Sequence, residues 1–193
     1  MDALGLLPLV QRLHICDAGH DRWFRPKIFL RSILQSSALS NVREPRIEYL
    51  NIPYFMPRLQ QSFRHFLPTL RSLALIYPEG SHRQVIYFIG LFQQLEDLEL
   101  HFGWRHRQGE PVDDWAPIPD FVPPLRGRLA MSYSRRELLE DMIGLFGGIR
   151  FRSMDLFCVS GMELLLEACV GTLETLRLYA TGHWSEQLYQ GGI

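Results

Sequence analysis

Seven short segments of the chain share one spacing of apolar residues, apolar-x-x-apolar-x-apolar. They are Val10-Leu13-Ile15, Ile47-Leu50-Ile52, Leu70-Leu73-Leu75, Leu95-Leu98-Leu100, Leu125-Leu129-Met131, Phe151-Met154-Leu156 and Leu173-Leu176-Leu178. The fifth holds one residue more than the rest, Gly127 or Arg128, which predicts a β-bulge. The last two apolar residues of each segment alternate with period two, the pattern of a strand with one buried face. With the middle residue as pivot, positions 13, 50, 73, 98, 129, 154 and 176 are separated by 37, 23, 25, 31, 25 and 22 residues. Recurrence on this scale marks a stacked-repeat architecture, in which each unit buries its apolar face only against its neighbours.

Helix-like stretches lie between the pivots, at 27–35, 83–94, 135–146 and 161–170. In Arg136–Phe146 apolar residues recur at offsets of three and four, the stripe of a helix packed on one side. Ser134 is the expected N-cap of that helix, with Glu137 at the capping-box spacing, and Gly147-Gly148 the expected stop. The two periods take turns along the chain, so the expected class is α/β, with parallel strands on one side and helices on the other. Two connections are long for such a unit, 16–46 and 102–124. The second contains Gly103, Gly109, Pro111, Pro117, Pro119, Pro123 and Pro124, which exclude a continuous helix or central strand. Trp104, Trp115 and Phe121 are expected to anchor it as an exposed loop.

Composition narrows the class of function. The chain has 193 residues, 47% of them hydrophobic and 21% charged, enough for a core and too little charge for a disordered tail. A formal charge of -1 gives no overall basic field for nucleic acid. The longest apolar stretch, around Val85–Phe92, falls far short of the roughly 18 residues of a membrane helix. The first residues, Met1–Pro8, carry Asp2 and no basic run, unlike a secretory signal. Three cysteines, Cys16, Cys158 and Cys169, lack a disulfide framework, and no Asn-x-Ser/Thr site occurs. An intracellular location, cytoplasmic or nuclear, is the expectation. Lys27 is the only lysine among 20 basic residues.

Certain stretches resemble a known family. Pro68-Thr69-Leu70-Arg71-Ser72-Leu73-Ala74-Leu75 and Phe92-Gln93-Gln94-Leu95-Glu96-Asp97-Leu98-Glu99-Leu100 look like the recurring strand of leucine-rich-repeat regions in fungal F-box-like proteins. Leu165-Leu166-Glu167-Ala168-Cys169-Val170-Gly171-Thr172-Leu173-Glu174-Thr175-Leu176-Arg177-Leu178 resembles the LLxxCxxTLxxLxL phrase of the basidiomycete members, and Pro123–Leu129 supports it. The resemblance covers roughly Pro68–Gly182 well and the first third weakly. It implies a leucine-rich-repeat-like solenoid over 1–193, about seven irregular repeats in one domain, with parallel strands on the concave side and helices on the convex side. The sequence reads as a fragment of a larger protein. It also implies a non-catalytic module that recognises the substrate of an F-box-like ubiquitin-ligase adaptor. Two features depart from the family. No Leu-Pro-x-Glu-like phrase opens an F-box, so a ligase scaffold is an implied partner only if the full protein supplies one. The Asn or Cys expected three residues after the last strand Leu is replaced by Pro78 and Val159, with Cys158 one place early.

Motifs for chemistry are sparse. Cys16, Asp17 and His20, or His101 and His106, lack the second pair that a zinc site requires. There is no Gly-x-Ser-x-Gly elbow and no phosphate loop. Trp104-Arg105-His106-Arg107 is a short aromatic-basic patch in a neutral chain. No cofactor and no metal are therefore expected, and the partner expected is a protein rather than nucleic acid or membrane. Two alternatives stand beside this reading, a structural remnant and an enzyme with a site in the 102–124 loop. The residues before, between and after the inner apolar pairs make the candidate protein-binding concave face: Arg12, His14, Tyr49, Asn51, Asp97, Glu99, His101, Arg128, Asp155, Phe157, Arg177 and Tyr179. Arg and Tyr among carboxylates suit a protein hot spot, although an ordinary solvated face has the same polarity. Leu73, Leu98, Met154 and Leu176 are expected in the core. Both ends look short for the caps a repeat array needs, and association through the C-terminal edge is expected.

Overall fold

The computed structural model describes residues 10–16, 41–55, 69–103, 125–145 and 149–179. Seven strands form one all-parallel sheet in chain order: β1 (Arg12–Cys16), β2 (Glu44–Glu48), β3 (Ser72–Ile76), β4 (Asp97–His101), β5 (Arg126–Ser132), β6 (Arg150–Phe157) and β7 (Thr175–Tyr179). Helices α1 (Ile52–Phe55), α2 (His82–Gly90), α3 (Arg136–Leu145) and α4 (Met162–Cys169) follow β2, β3, β5 and β6 and touch one another in that order. The result is a solenoid-like α/β array. The helix expected at 27–35 and the loop 104–124 lie outside the described residues, as do Gly147 and Gly148.

Two columns of apolar residues run through the sheet and meet the helices. One aligns Leu73, Leu98, Leu129, Met154 and Leu176; the other aligns Ile15, Ile47, Leu75, Leu100, Met131, Leu156 and Leu178. Val85, Phe88, Ile89, Leu138, Leu139, Met142, Leu165 and Cys169 close the core from the helix side. Leu73, Leu98 and Met154 are buried as expected, but Leu176 is 38% exposed and Leu178 54%. The array covers these two positions less at β7, which has a described strand on one side only.

The register corrects the second repeat. Leu13 pairs with Pro45 and Ile15 with Ile47, so the pivot is Pro45 rather than Leu50. The shared spacing is Val42-x-x-Pro45-x-Ile47, with all three side chains buried. A proline inside a strand argues against that assignment. Here the preceding N–H groups, of Arg43 and Glu44, both donate to the Gln11 carbonyl and hold the strand without one from Pro45. The same forked bond recurs from Arg71 and Ser72 to Arg43, and from Glu96 and Asp97 to Arg71. It marks equivalent positions in successive repeats.

The extra residue of the fifth segment is the expected irregularity: the β5–β6 register shifts between Gly127 and Arg128. Gly127 has φ +86°, and a Cβ there would lie 2.4 Å from the Glu96 carbonyl oxygen. Only glycine fits. Helix α3 begins at Arg136, and the Ser134 hydroxyl is buried with no hydrogen-bond partner, so the expected capping box is not made. A capping box forms instead at α2, where Ser81 accepts from the Gln84 N–H and Gln84 Oε1 accepts from the Ser81 N–H.

The LLxxCxxT phrase has a physical role. Cys169 is fully buried, and its thiol donates to the Ile149 carbonyl at 3.5 Å. The Thr172 hydroxyl reaches the Phe151 carbonyl at 3.2 Å. Both satisfy backbone at the entrance of β6, where an unpaired carbonyl would be costly.

Candidate functional site: the sheet face opposite the helices

Side chains that alternate with the core columns form three rows across the other face. The first holds Arg12 beside Glu44 and, from β3 onward, Ser72, Asp97, Arg128, Ser153 and Thr175. The second is His14, Arg46, Ala74, Glu99, Ala130, Asp155 and Arg177. The third is Cys16, Glu48, Ile76, His101, Ser132, Phe157 and Tyr179. Ten of the twelve expected face residues fall on these rows. Tyr49 and Asn51 do not, because the pivot lies at Pro45. Tyr49 follows β2 with φ 58°, and Asn51 forms a bridge with Glu79. On β2 the residues missed are Glu44, Arg46 and Glu48, which the spacing around Pro45 would have found. Ser72, Ala74 and Ile76 on β3 and Cys16, Ala130, Ser132, Ser153 and Thr175 also lie on the rows and were not expected there.

Row two decides the electrostatics. Ala74 is small enough for Arg46 on β2 to cross β3 and donate to Glu99 on β4 at 3.1 Å. Arg46 also meets Glu48 at 3.2 Å, and Glu48 lies 2.9 Å from His14 Nε2. Glu99 accepts from His101 Nε2 at 2.9 Å, while His101 Nδ1 and the Ser132 hydroxyl lie 2.7 Å apart. Ala130 then interrupts the row. Beyond it Asp155, only 1% exposed, accepts from Arg128 Nε at 2.9 Å and again from Nη2, and Arg177 stands 3.7 Å from its other oxygen. The face therefore carries two separate charge clusters. In the first, burial works to raise the Glu99 carboxyl, but the His101 hydrogen bond and the charges of His101 and Arg46 outweigh it and hold it below its ordinary value. Glu48 is likewise lowered, with burial opposed by hydrogen bonds from Arg46, His14 and Cys16.

Strand exits repeat as well. Tyr49, Tyr77, Tyr133 and Cys158 each follow a strand with φ between 49° and 58°. Left-handed backbone is unusual for aromatic residues. Each of the three tyrosines donates its N–H to the end of the next strand, at 2.7–3.0 Å, which carries the pairing one residue further. The Tyr49 and Tyr77 rings lie 5.3 Å apart, and Tyr133 meets Phe157 edge-on at 5.0 Å. Burial, with the neighbouring Cys158 and Tyr77, pushes the Tyr133 phenol up.

Ser132, His101 and Glu99 invite comparison with a nucleophile, base and orienting carboxylate. The imidazole is reversed from the serine-hydrolase arrangement, with Nδ1 at the hydroxyl and Nε2 at the carboxylate. Ser132 is 5% exposed, and the adjacent N–H groups of Phe102 and Tyr133 are committed to Ser132 and Phe157 carbonyls. These two N–H groups are therefore not open to an oxyanion. The trio is a buried polar link that fixes Glu99. Among the described residues, no group of three or more His, Cys, Asp or Glu is placed to hold a metal ion, and no helix is long and apolar enough to cross a membrane.

The sequence matches no protein-family model and no curated protein, and the chain matches no solved structure.

Proposed function

We propose that the chain is the leucine-rich-repeat region of a fungal F-box-like protein, a non-catalytic module that binds a protein on the sheet face opposite the helices. Its role in this reading is substrate recognition for a ubiquitin-ligase adaptor, with no cofactor. One observation carries the proposal: three rows of mostly polar, charged and aromatic side chains, broken by Ala74, Ala130 and Ile76, on seven parallel strands, a surface about 30 Å across at about 4.8 Å per strand. Extended faces of this kind present contacts to another macromolecule rather than enclosing a small one. The mixed charges of the Arg46–Glu99 and Arg128–Asp155 clusters favour a protein partner over a uniformly charged one.

The test is affinity capture from native fungal lysate, read by mass spectrometry, with the wild type beside Asp97→Arg/Glu99→Arg. Proteins retained by the wild type and lost by the variant, with a circular-dichroism melt showing the variant folded, support the sheet-face site. Capture that ignores the variant places binding elsewhere, and turnover of a metabolite at the 102–124 loop would replace the module by an enzyme.

A further inference from the structure

The two halves of the sheet face differ in charge balance. On or directly before β1–β4, Arg12, Arg46 and Arg71 meet carboxylates of Glu44, Glu48, Glu99 and Glu96, while Arg43 is exposed with no ion pair among the described residues. On β5–β7, Arg126, Arg128, Arg150, Arg152 and Arg177 are all exposed. Arg128 and Arg177 share the buried Asp155. Arg126, Arg150 and Arg152 have no ion pair among the described residues. The nearby acidic residues are Asp97, in register with Arg128, Glu96, whose carbonyl accepts the Arg128 N–H and whose carboxylate meets Arg71, and Glu174, which donates its backbone N–H to the Arg152 carbonyl. Four arginines thus gather within the first three residues of β5 and β6, with Arg177 mid-strand on the adjacent β7, in a chain whose overall charge is -1.

The fold itself does not call for this. Arg126 and Arg150 are register partners on neighbouring strands, and like charges directly opposite oppose pairing. Lysine would serve solubility there; arginine adds a planar fork that grips carboxylates with two parallel hydrogen bonds. We infer that the arginine cluster at the start of β5 and β6, flanked by Arg177 on β7, binds an acidic segment of a protein partner through its carboxylates. The inference rests on the module reading and gives the chemistry of that partner. Three strands span about 10 Å between the outer two, and alternate side chains of an extended peptide repeat at about 7 Å, so two or three carboxylates meet the cluster. Asp155 holds Arg128 from below, with two hydrogen bonds to one oxygen, and reduces the side-chain freedom lost on binding.

The experiment is fluorescence anisotropy of the full chain with a labelled, extended decapeptide bearing alternating glutamates. Its glutamine counterpart and deca-uridine RNA serve as comparison probes. The glutamate peptide should bind at low salt, the glutamine peptide should not, and raising salt from about 50 to 300 mM should weaken binding about tenfold as exposed charges are screened. Arg150→Glu/Arg152→Glu should weaken it by a further factor of about ten, while Arg83→Glu on α2 leaves it unchanged. Should the charge reversal unfold the chain, Arg150→Gln/Arg152→Gln replaces it, with a smaller loss expected in the same direction. Equal binding of the glutamate and glutamine peptides overturns the inference. So does tighter binding of the RNA with the same arginine dependence, which makes the cluster a nucleic-acid contact. If the peptide fails but a captured protein still requires Asp97 and Glu99, the arginine inference falls and the module reading survives.

Discussion

Replacing Gly127 by Ala adds one methyl group at the point where the fifth repeat absorbs its extra residue. That methyl would sit 2.4 Å from the Glu96 carbonyl oxygen and 3.1 Å from its carbon, and both are backbone atoms that no rotamer change can move. Left-handed backbone at φ +86° costs an L-residue about 1–2 kcal/mol. The clash must also push β4 from β5, which stretches the 3.1 Å bond from Arg128 N–H to that same oxygen and forfeits about 0.5–1.5 kcal/mol. Against this, alanine narrows the unfolded ensemble and returns about 0.4–1 kcal/mol. The balance is a destabilisation of about 1–3 kcal/mol, with further strain where the strands do not part. Gly144, inside α3, has nothing within 4 Å of its missing Cβ, so Gly144→Ala should stabilise by about 0.5–1 kcal/mol. Urea unfolding followed by circular dichroism measures both, with an unchanged slope showing that only stability moved. A Gly127→Ala midpoint equal to wild type would sink the bulge assignment, and below-wild-type stability for Gly144→Ala would contradict the open space at that helical position.

Three further outcomes follow from the same contacts. Leu98→Ala removes a 2%-exposed side chain between Leu73 and Leu129 and should cost about 2–5 kcal/mol, whereas Leu176→Ala, at a 38%-exposed position, should cost less than half as much in the same urea assay. The Glu99 carboxyl is held below its ordinary 4.5 when folded, so its contribution is present above the unfolded value and disappears as pH falls through the lowered one. Glu99→Gln should therefore lose stability at neutral pH and show a shallower decline below about pH 4.5. Finally, Cys16 and Cys158 are exposed while Cys169 is buried and its thiol pushed up by that burial. A thiol-reactive dye should titrate two groups in native buffer and the third only in denaturant; three fast groups would contradict the packing of α4.

How much of this was legible in the sequence depends on which row a residue occupies. Core columns must be apolar in every repeat, so their spacing announces itself, and six of the seven pivots coincide with the register. The second failed because Ile47-Leu50-Ile52 fits the template as well as Val42-Pro45-Ile47, and all of these residues are buried. Periodicity cannot choose between two buried sets, and general wariness of proline in a strand favours the wrong one. Backbone hydrogen bonds decide it. The cap of α3 failed for a related reason: Ser134 and Glu137 have the capping spacing, but the helix starts one residue later than that box requires. At α2, Ser81 and Gln84 carry the same spacing and use it.

The binding face is less legible because its rows are not obliged to repeat. Row two changes from His14 to Arg46, Ala74, Glu99, Ala130, Asp155 and Arg177, and nothing in a single strand foretells which charge meets which. The Arg46–Glu99 pair spans 53 positions of sequence and exists only because Ala74 leaves the space above β3 open. Replacing Ala74 by Leu would raise a side chain into that gap without touching either charge. The expected outcome is a broken Arg46–Glu99 contact, with the Glu99 carboxyl moving up toward its ordinary value because the Arg46 charge and hydrogen bond that help to lower it are displaced. His101 remains, so the shift is partial. Carboxyl NMR titration of Glu99 in the two proteins reads it directly, and an unchanged Glu99 midpoint would show that Arg46 contributes nothing to the electrostatics of this face.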